Sequence, residues 1–135
     1  MGGAFSPGRC ERLRKSNEFR RVRTEGRSWS SPLLVVQAAR NQLETVRVGI
    51  IVSKRLGNAV RRNRVRRVIR ETLRALCHRL RAGWDLVIIA RSPILEARYV
   101  EVFTALEDVL NRAALLDGPP VASESPAGGF PFASN

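Results

Sequence analysis

Val46-Arg47-Val48-Gly49-Ile50-Ile51-Val52-Ser53 runs without interruption into Lys54-Arg55-Leu56-Gly57-Asn58-Ala59-Val60-Arg61-Arg62-Asn63-Arg64-Val65-Arg66-Arg67-Val68-Ile69-Arg70-Glu71. The first eight residues place Val46, Val48, Ile50 and Val52 on one side, the two-residue period of a strand with a buried face. Lys54 to Asn58 contains a glycine and reads as a turn, after which the apolar spacing becomes helical. A strand that feeds a long helix through a basic turn makes this a mixed α and β chain.

The helix is expected from about Asn58 to Leu80. At about 100° per residue, Val65, Val68, Ile69, Thr72, Leu73, Leu76 and Leu80 fall within an arc of about 140°, the face that packs on a sheet. Asn63, Arg67, Arg70, Arg74 and Arg81 form a nearly straight stripe on the opposite side, reaching about 27 Å at about 1.5 Å per residue. Solvated helix faces normally mix signs at three- and four-residue spacing. Here Glu71 is the only acid, able to pair with Arg67 or Arg74 and leaving the others unneutralised, so the stripe reads as a face for a polyanion. Gly57 and Asn58 open the helix beside Lys54 and Arg55, which brings backbone N–H groups and two cations to one turn. No P-loop spacing is present.

Upstream, residues 1–15 are rich in Gly, Ser, Pro and Arg and read as a mobile basic leader. Ser16 reads as the N-cap of a short helix, with Glu18 in its first turn, Phe19 and Val22 on one face, and Gly26 as its stop. Leu33 to Val36 begins a strand after Pro32. The short polar link at Arg40-Asn41-Gln42 predicts that this strand pairs with Val46–Ser53 as an antiparallel hairpin. Downstream, Leu86 to Ala90 is almost continuously apolar, the mark of a central strand covered on both faces. Tyr99, Val102, Phe103, Leu106, Val109 and Leu110 recur at helical spacing and predict a last amphipathic helix to about Leu115. Residues 117–135 are dominated by Gly, Pro, Ser and Ala and read as a disordered tail. The expected fold is α+β, an α/β sandwich with helices packed on one small sheet, in a single domain over residues 16–116.

The chain has 135 residues and a net charge of +12. Residues 54–81 hold eleven Lys or Arg against one acid, residues 1–27 eight against three, and residues 93–135 two against six. Positive charge focused on two segments, almost all of it Arg, is the footprint of a protein that binds nucleic acid. No apolar run is long enough to span a membrane, and the N-terminus has no secretory core. Cys10 and Cys77 form no CxxC pair and read as reduced thiols of a cytosolic protein. His78 is the only histidine, so a zinc site or multi-histidine catalysis has too few donors. Asp85, Glu96, Glu101, Glu107 and Asp108 are scattered and read as solvent-facing, with no carboxylate cluster for metal-assisted cleavage. Two further readings fit a basic helix. One is a structural RNA-binding protein, such as a ribosomal or assembly factor. The other is a DNA-binding protein with this helix in the major groove, though no helix-turn-helix pair or zipper accompanies it.

The stretch Lys54–Glu71, with Arg62-Asn63-Arg64 inside it, resembles the signature of the bacterial ribonuclease P protein subunit. Arg12-Leu13-Arg14-Lys15 followed by Glu18-Phe19 and Val22, then Gly26-Arg27-Ser28, and Leu86-Val87-Ile88-Ile89-Ala90-Arg91 extend the resemblance over about residues 9–115. The resemblance implies a left-handed β-α-β crossover around the motif helix, against the usual right-handed rule. It implies a protein that helps a catalytic RNA remove the 5′ leader of precursor tRNA. The partners would be ribonuclease P RNA and precursor tRNA, with no membrane, no obligatory protein partner and a cytoplasmic location. Catalytic groups and Mg2+ would belong to the RNA, with no catalytic residue and no metal held by this chain's side chains. Lys54, Arg55, Asn58, Arg61, Arg62 and Asn63 would face that RNA, together with Arg64, Arg66, Arg67, Arg70 and Arg74. A cleft between the first helix and the sheet would hold the leader, drawing on Arg12, Arg14, Lys15, Phe19, Arg23, Ser28 and Gln37. Family members often carry aromatic residues where Arg23 and Gln37 stand here, so charge is expected to replace part of the stacking.

Overall fold

A computed structural model describes residues 10–116. The chain runs β1 Cys10–Arg12, α1 Ser16–Glu25, β2 Arg27–Ser30, β3 Leu34–Arg40, β4 Val46–Ile51, α2 Ala59–Leu76, β5 Trp84–Ala90 and α3 Tyr99–Arg112. The five strands form one sheet in the order β1-β4-β5-β3-β2. The expected α+β sandwich is what forms, with strands β4 and β5 parallel and α2 as the crossover between them.

Each face of the sheet carries its own core. Val46, Val48, Leu34, Val36, Leu86 and Ile88 face α2 and α3, where Ile69, Leu76, Leu106 and Leu110 cover them. On the other face Val87 and Ala39 meet Leu13 and Val22, with Phe19, Ile51 and Ile89 partly buried beside them. The two-residue period thus splits β3, β4 and β5 between two layers of helix.

The hairpin expectation is corrected. β3 and β4 do not pair, because β5 lies between them, antiparallel to β3 and parallel to β4. The link at residues 41–45 spans the start of β5: Gly83 N–H donates to Thr45 O at 3.1 Å, and Gly83 O accepts from Asn41 N–H at 2.9 Å. Strands two places apart are separated by about 10 Å, which five residues bridge readily. The apolar run Leu86–Ala90 takes the central place that its composition demands.

Other boundaries differ as well. Residues 10–12, placed in the mobile leader by composition, pair with β4 as a parallel edge strand, Cys10 opposite Val46 and Arg12 opposite Val48. Residues 1–9 and the expected tail at 117–135 lie outside the described residues. The N-cap of α1 is Lys15 rather than Ser16, since the Glu18 carboxylate reaches back to the Lys15 N–H at 3.1 Å. β2 had no periodic signal of its own and forms as an edge strand against β3. The long helix ends at Leu76 and passes into a 3-10 turn, Cys77–Arg79, so Arg81 lies beyond it. α3 ends at Arg112, short of Leu115. Asp85 and Glu107, expected at the surface, are buried and paired with arginines.

Candidate RNA interface

α2 presents its buried face as the spacing requires: Val65, Ile69, Thr72, Leu73 and Leu76 are covered, and the Thr72 hydroxyl donates to Ile69 O at 2.7 Å. Opposite them Asn63, Arg67, Arg70 and Arg74 are exposed. With Arg81 off the helix the stripe is shorter than its expected span, about 16 Å from Asn63 to Arg74 at about 1.5 Å per residue. Glu71 neutralises none of these arginines, which have no ion-pair partner among the described residues.

The helix start divides its residues between structure and surface. Asn58 is the N-cap, its Oδ1 accepting from the Arg61 N–H at 3.0 Å. Arg62 folds back to donate from Nε to Gly57 O at 3.1 Å, and Arg66 donates from Nη1 to Asn63 Oδ1 at 3.2 Å. Lys54 and Arg55 form an exposed 3-10 turn held by Ser53, whose Oγ accepts from the Arg55 N–H at 3.2 Å. Arg61 and Arg64 are exposed. Gly57 sits at φ 127°, a conformation that L side chains rarely adopt, so glycine is required where the chain turns into the helix.

On the other face of the sheet a cavity of about 640 Å³ opens between α1 and the strands. Arg14, Phe19, Arg23 and Gln37, four of the residues that the resemblance assigns to a cleft, line it, with Ile51 at its floor. Arg20, not anticipated from the sequence, lines it too; Ser16, Phe19, Arg20 and Arg23 share one helical face, a spacing that could have revealed it. Ser28 is tied to this wall through Gln37, whose Nε2 donates to Ser28 Oγ at 3.2 Å. Gln37 Oε1 is buried with no hydrogen-bond partner among the described residues. Lys15 is exposed at the head of α1, and Arg12 lines a different cavity, bounded by β1, β4 and α2. Phe19 both packs and lines: a Cβ at Gly49 would stand 2.4 Å from its ring, so glycine makes room for the aromatic wall.

A buried ionic cluster sets the position of α1. Asp85 accepts from Arg47 Nε and Nη2, from Arg21 Nη2 and from Asn41 Nδ2, at distances from 2.6 to 2.9 Å. Burial alone would raise the Asp85 pKa, but hydrogen bonds from Arg47 and Asn41 and the arginine charges outweigh it and hold the carboxyl below its ordinary range. Arg47 also donates to Glu18 Oε2 at 2.8 Å. The Glu18 pKa is lowered, first by the Lys15 N–H and then by the Arg14 N–H and Arg47 against its own desolvation. Arg21 and Glu18 belong to α1, Arg47 to β4 and Asp85 to β5, so one carboxylate joins helix and sheet beneath the cleft. The sequence does not reveal this cluster, because its bonded partners lie up to 64 residues apart. The only local signal is a charge at the head of an apolar strand.

Among the described residues no group of three or more His, Cys, Asp or Glu side chains could hold a metal ion. No described helix is long and apolar enough to cross a membrane.

The family model for ribonuclease P matches residues 8–114. The ribonuclease P protein component of Chloroflexus aurantiacus is 41% identical over 125 residues, covering 92% of this chain and 93% of its own. That of Roseiflexus castenholzii is 43% identical over 119 residues, covering 87% and 96%. Among solved structures, the RNase P protein of Staphylococcus aureus superposes with a TM-score of 0.73 at 34% identity, over 78% of this chain and 97% of that one.

Proposed function

The chain belongs to the ribonuclease P protein family, and on that premise we propose that it binds the RNA subunit through α2 and the 5′ leader of precursor tRNA through the cleft beside α1. The carrying observation is the row Arg67, Arg70 and Arg74, exposed on one face of α2 and without acidic neutralisation. Such a row lowers its own repulsion when phosphates replace water and counterions. Lys54 and Arg55 extend it towards the helix start, where Asn58 and Arg62 hold the turn in shape.

The cleft suits a single strand. Arg14, Arg20 and Arg23 offer charge to the sugar-phosphate chain, Phe19 offers one ring face, and Gln37 offers amide groups. Asp85, by anchoring Arg21 and Arg47, keeps the helical wall at a set distance from the floor. The protein then contributes position and charge screening, not bond cleavage. Magnesium ions, held by the RNA and not by this chain's side chains, would supply the Lewis-acid chemistry. The reading places the protein in the cytoplasm, with its RNA and its substrate.

The test is reconstitution with a bacterial ribonuclease P RNA at low magnesium. Adding the protein is expected to stimulate removal of the leader at the correct site, and protein alone to cut nothing specifically. Folded protein that binds the RNA without stimulating it would reduce the reading to a structural RNA-binding role.

A further inference from the structure

β1 stops at Arg12, opposite Val48, while β4 continues to Ile51, so the last residues of β4 have no strand on that side. The chain leaves instead through Leu13 into α1. A cavity of about 520 Å³ fills the gap between this edge and α2. Its floor is apolar, with Leu13, Phe19, Val48, Ile50 and Leu73, and Cys10 and Cys77 lie against it. Its mouth is basic: Arg66, Arg70 and Arg74 come from the flank of α2 and Arg12 from β1, with Glu11 the one acid among them. An apolar floor under convergent cations matches a flat, largely apolar ring that carries phosphate, and the volume lies in the range of small-ligand sites. The three α2 arginines belong to the surface assigned above to RNA, which ties this cavity to that partner; the leader cleft lies on the other side of Phe19.

We propose that this cavity receives one unpaired nucleotide of the RNA subunit, its base on the Leu13–Ile50–Leu73 floor and its phosphates on Arg66, Arg70 and Arg74. The inference rests on the RNA-binding reading of α2 and adds to it a site for a single base. An unpaired base gains from leaving water for an apolar or aromatic surface whatever its identity, so the site reads shape and charge, not sequence.

Cys10 and Cys77 are the only cysteines of the chain, and they provide the test. Both line the cavity, and burial, with the neighbouring Cys77 side chain, pushes the Cys10 thiol pKa up. Cys77→Leu adds volume there and leaves every arginine in place. Affinity for ribonuclease P RNA is expected to fall about tenfold or more, with the melting temperature and the salt slope retained. Methylthiolation of Cys77 in a Cys10→Ala chain with methyl methanethiosulfonate, its site read by mass spectrometry, is expected to give the same loss relative to the unmodified Cys10→Ala chain and to recover it on reduction. This arm carries the test if Cys77→Leu does not fold. Unchanged affinity in the filled forms would overturn the proposal. A loss confined to precursor tRNA, with RNA-subunit affinity intact, would overturn it in favour of that source. Failure of the unmodified protein to bind RNA at all would instead overturn the reading of α2 on which it stands.

Discussion

Arg47 grips Asp85 across neighbouring parallel strands with two hydrogen bonds, Nε to Oδ1 at 2.9 Å and Nη2 to Oδ2 at 2.8 Å. The two residues are register partners, and Arg21 of α1 closes on the same carboxylate. The pair lies beneath the cleft wall, so its loss is felt in stability and in the placing of α1.

Asp85 holds its charge to lower pH in the folded chain than in the unfolded one. Its stabilisation is therefore complete above the unfolded value of about 4 and is lost as pH falls through the folded value. Asp85→Asn is expected to cost on the order of 3 kcal/mol at neutral pH, because it leaves arginines around a neutral group. The variant's stability is also expected to change less than the wild type's between about pH 5 and pH 2. Denaturant unfolding across that range measures both, and an acid limb as steep as the wild type's would assign the effect to other groups.

Arg67→Ala combined with Arg70→Ala is expected to weaken binding to ribonuclease P RNA. It is also expected to flatten the dependence of log affinity on log salt, by up to about 0.7–0.9 for each phosphate that the variant no longer neutralises. A titration series over salt concentration reads this directly. An unaltered slope would show both side chains to be solvated in the complex.

Phe19 packs on Gly49 and faces the cleft. Phe19→Leu is expected to keep the fold and to weaken precursor tRNA more than mature tRNA, measured with the same RNA subunit. Equal losses for the two would return Phe19 to a packing role alone.

Arg23 stands on the helical face of Phe19, one turn on, at the cleft. Arg23→Phe trades a phosphate contact for an aromatic platform, and is expected to flatten the salt dependence of leader binding while stacking at about 1–3 kcal/mol per base raises its affinity. Mature tRNA is expected to gain nothing, and a gain shared by both would locate the effect outside the leader.

Gly26 closes α1 where no side chain fits: a Cβ would lie 2.5 Å from Val22 O and 2.6 Å from Ala38 O. Both are backbone atoms, so Gly26→Ala must move α1 or β3 and is expected to cost about 1–3 kcal/mol. An unshifted melting temperature would show that the helix end moves freely.

Several of these features are legible along the chain. The helical period of Val65, Ile69, Leu73 and Leu76 marks the packed face of α2, and the scarcity of acids supplies the meaning of the opposite face. Phe19, Arg14, Arg23 and Gln37, which the resemblance singles out, line one cavity. The pairing of β3 with β4 is misread because a short polar link serves a hairpin and a strand-skipping connection equally well. β1 escapes notice because three residues carry no measurable period.

By itself, then, the sequence determined which residues turn inward and where positive charge gathers, since period and composition are properties of neighbours along the chain. The tertiary structure alone decided the strand order, the Arg21–Asp85–Arg47 anchor and the cavity shared by β1 and α2. Each of these joins residues dozens of positions apart, and only the competition of strands for the central place in the sheet brings them within hydrogen-bonding distance.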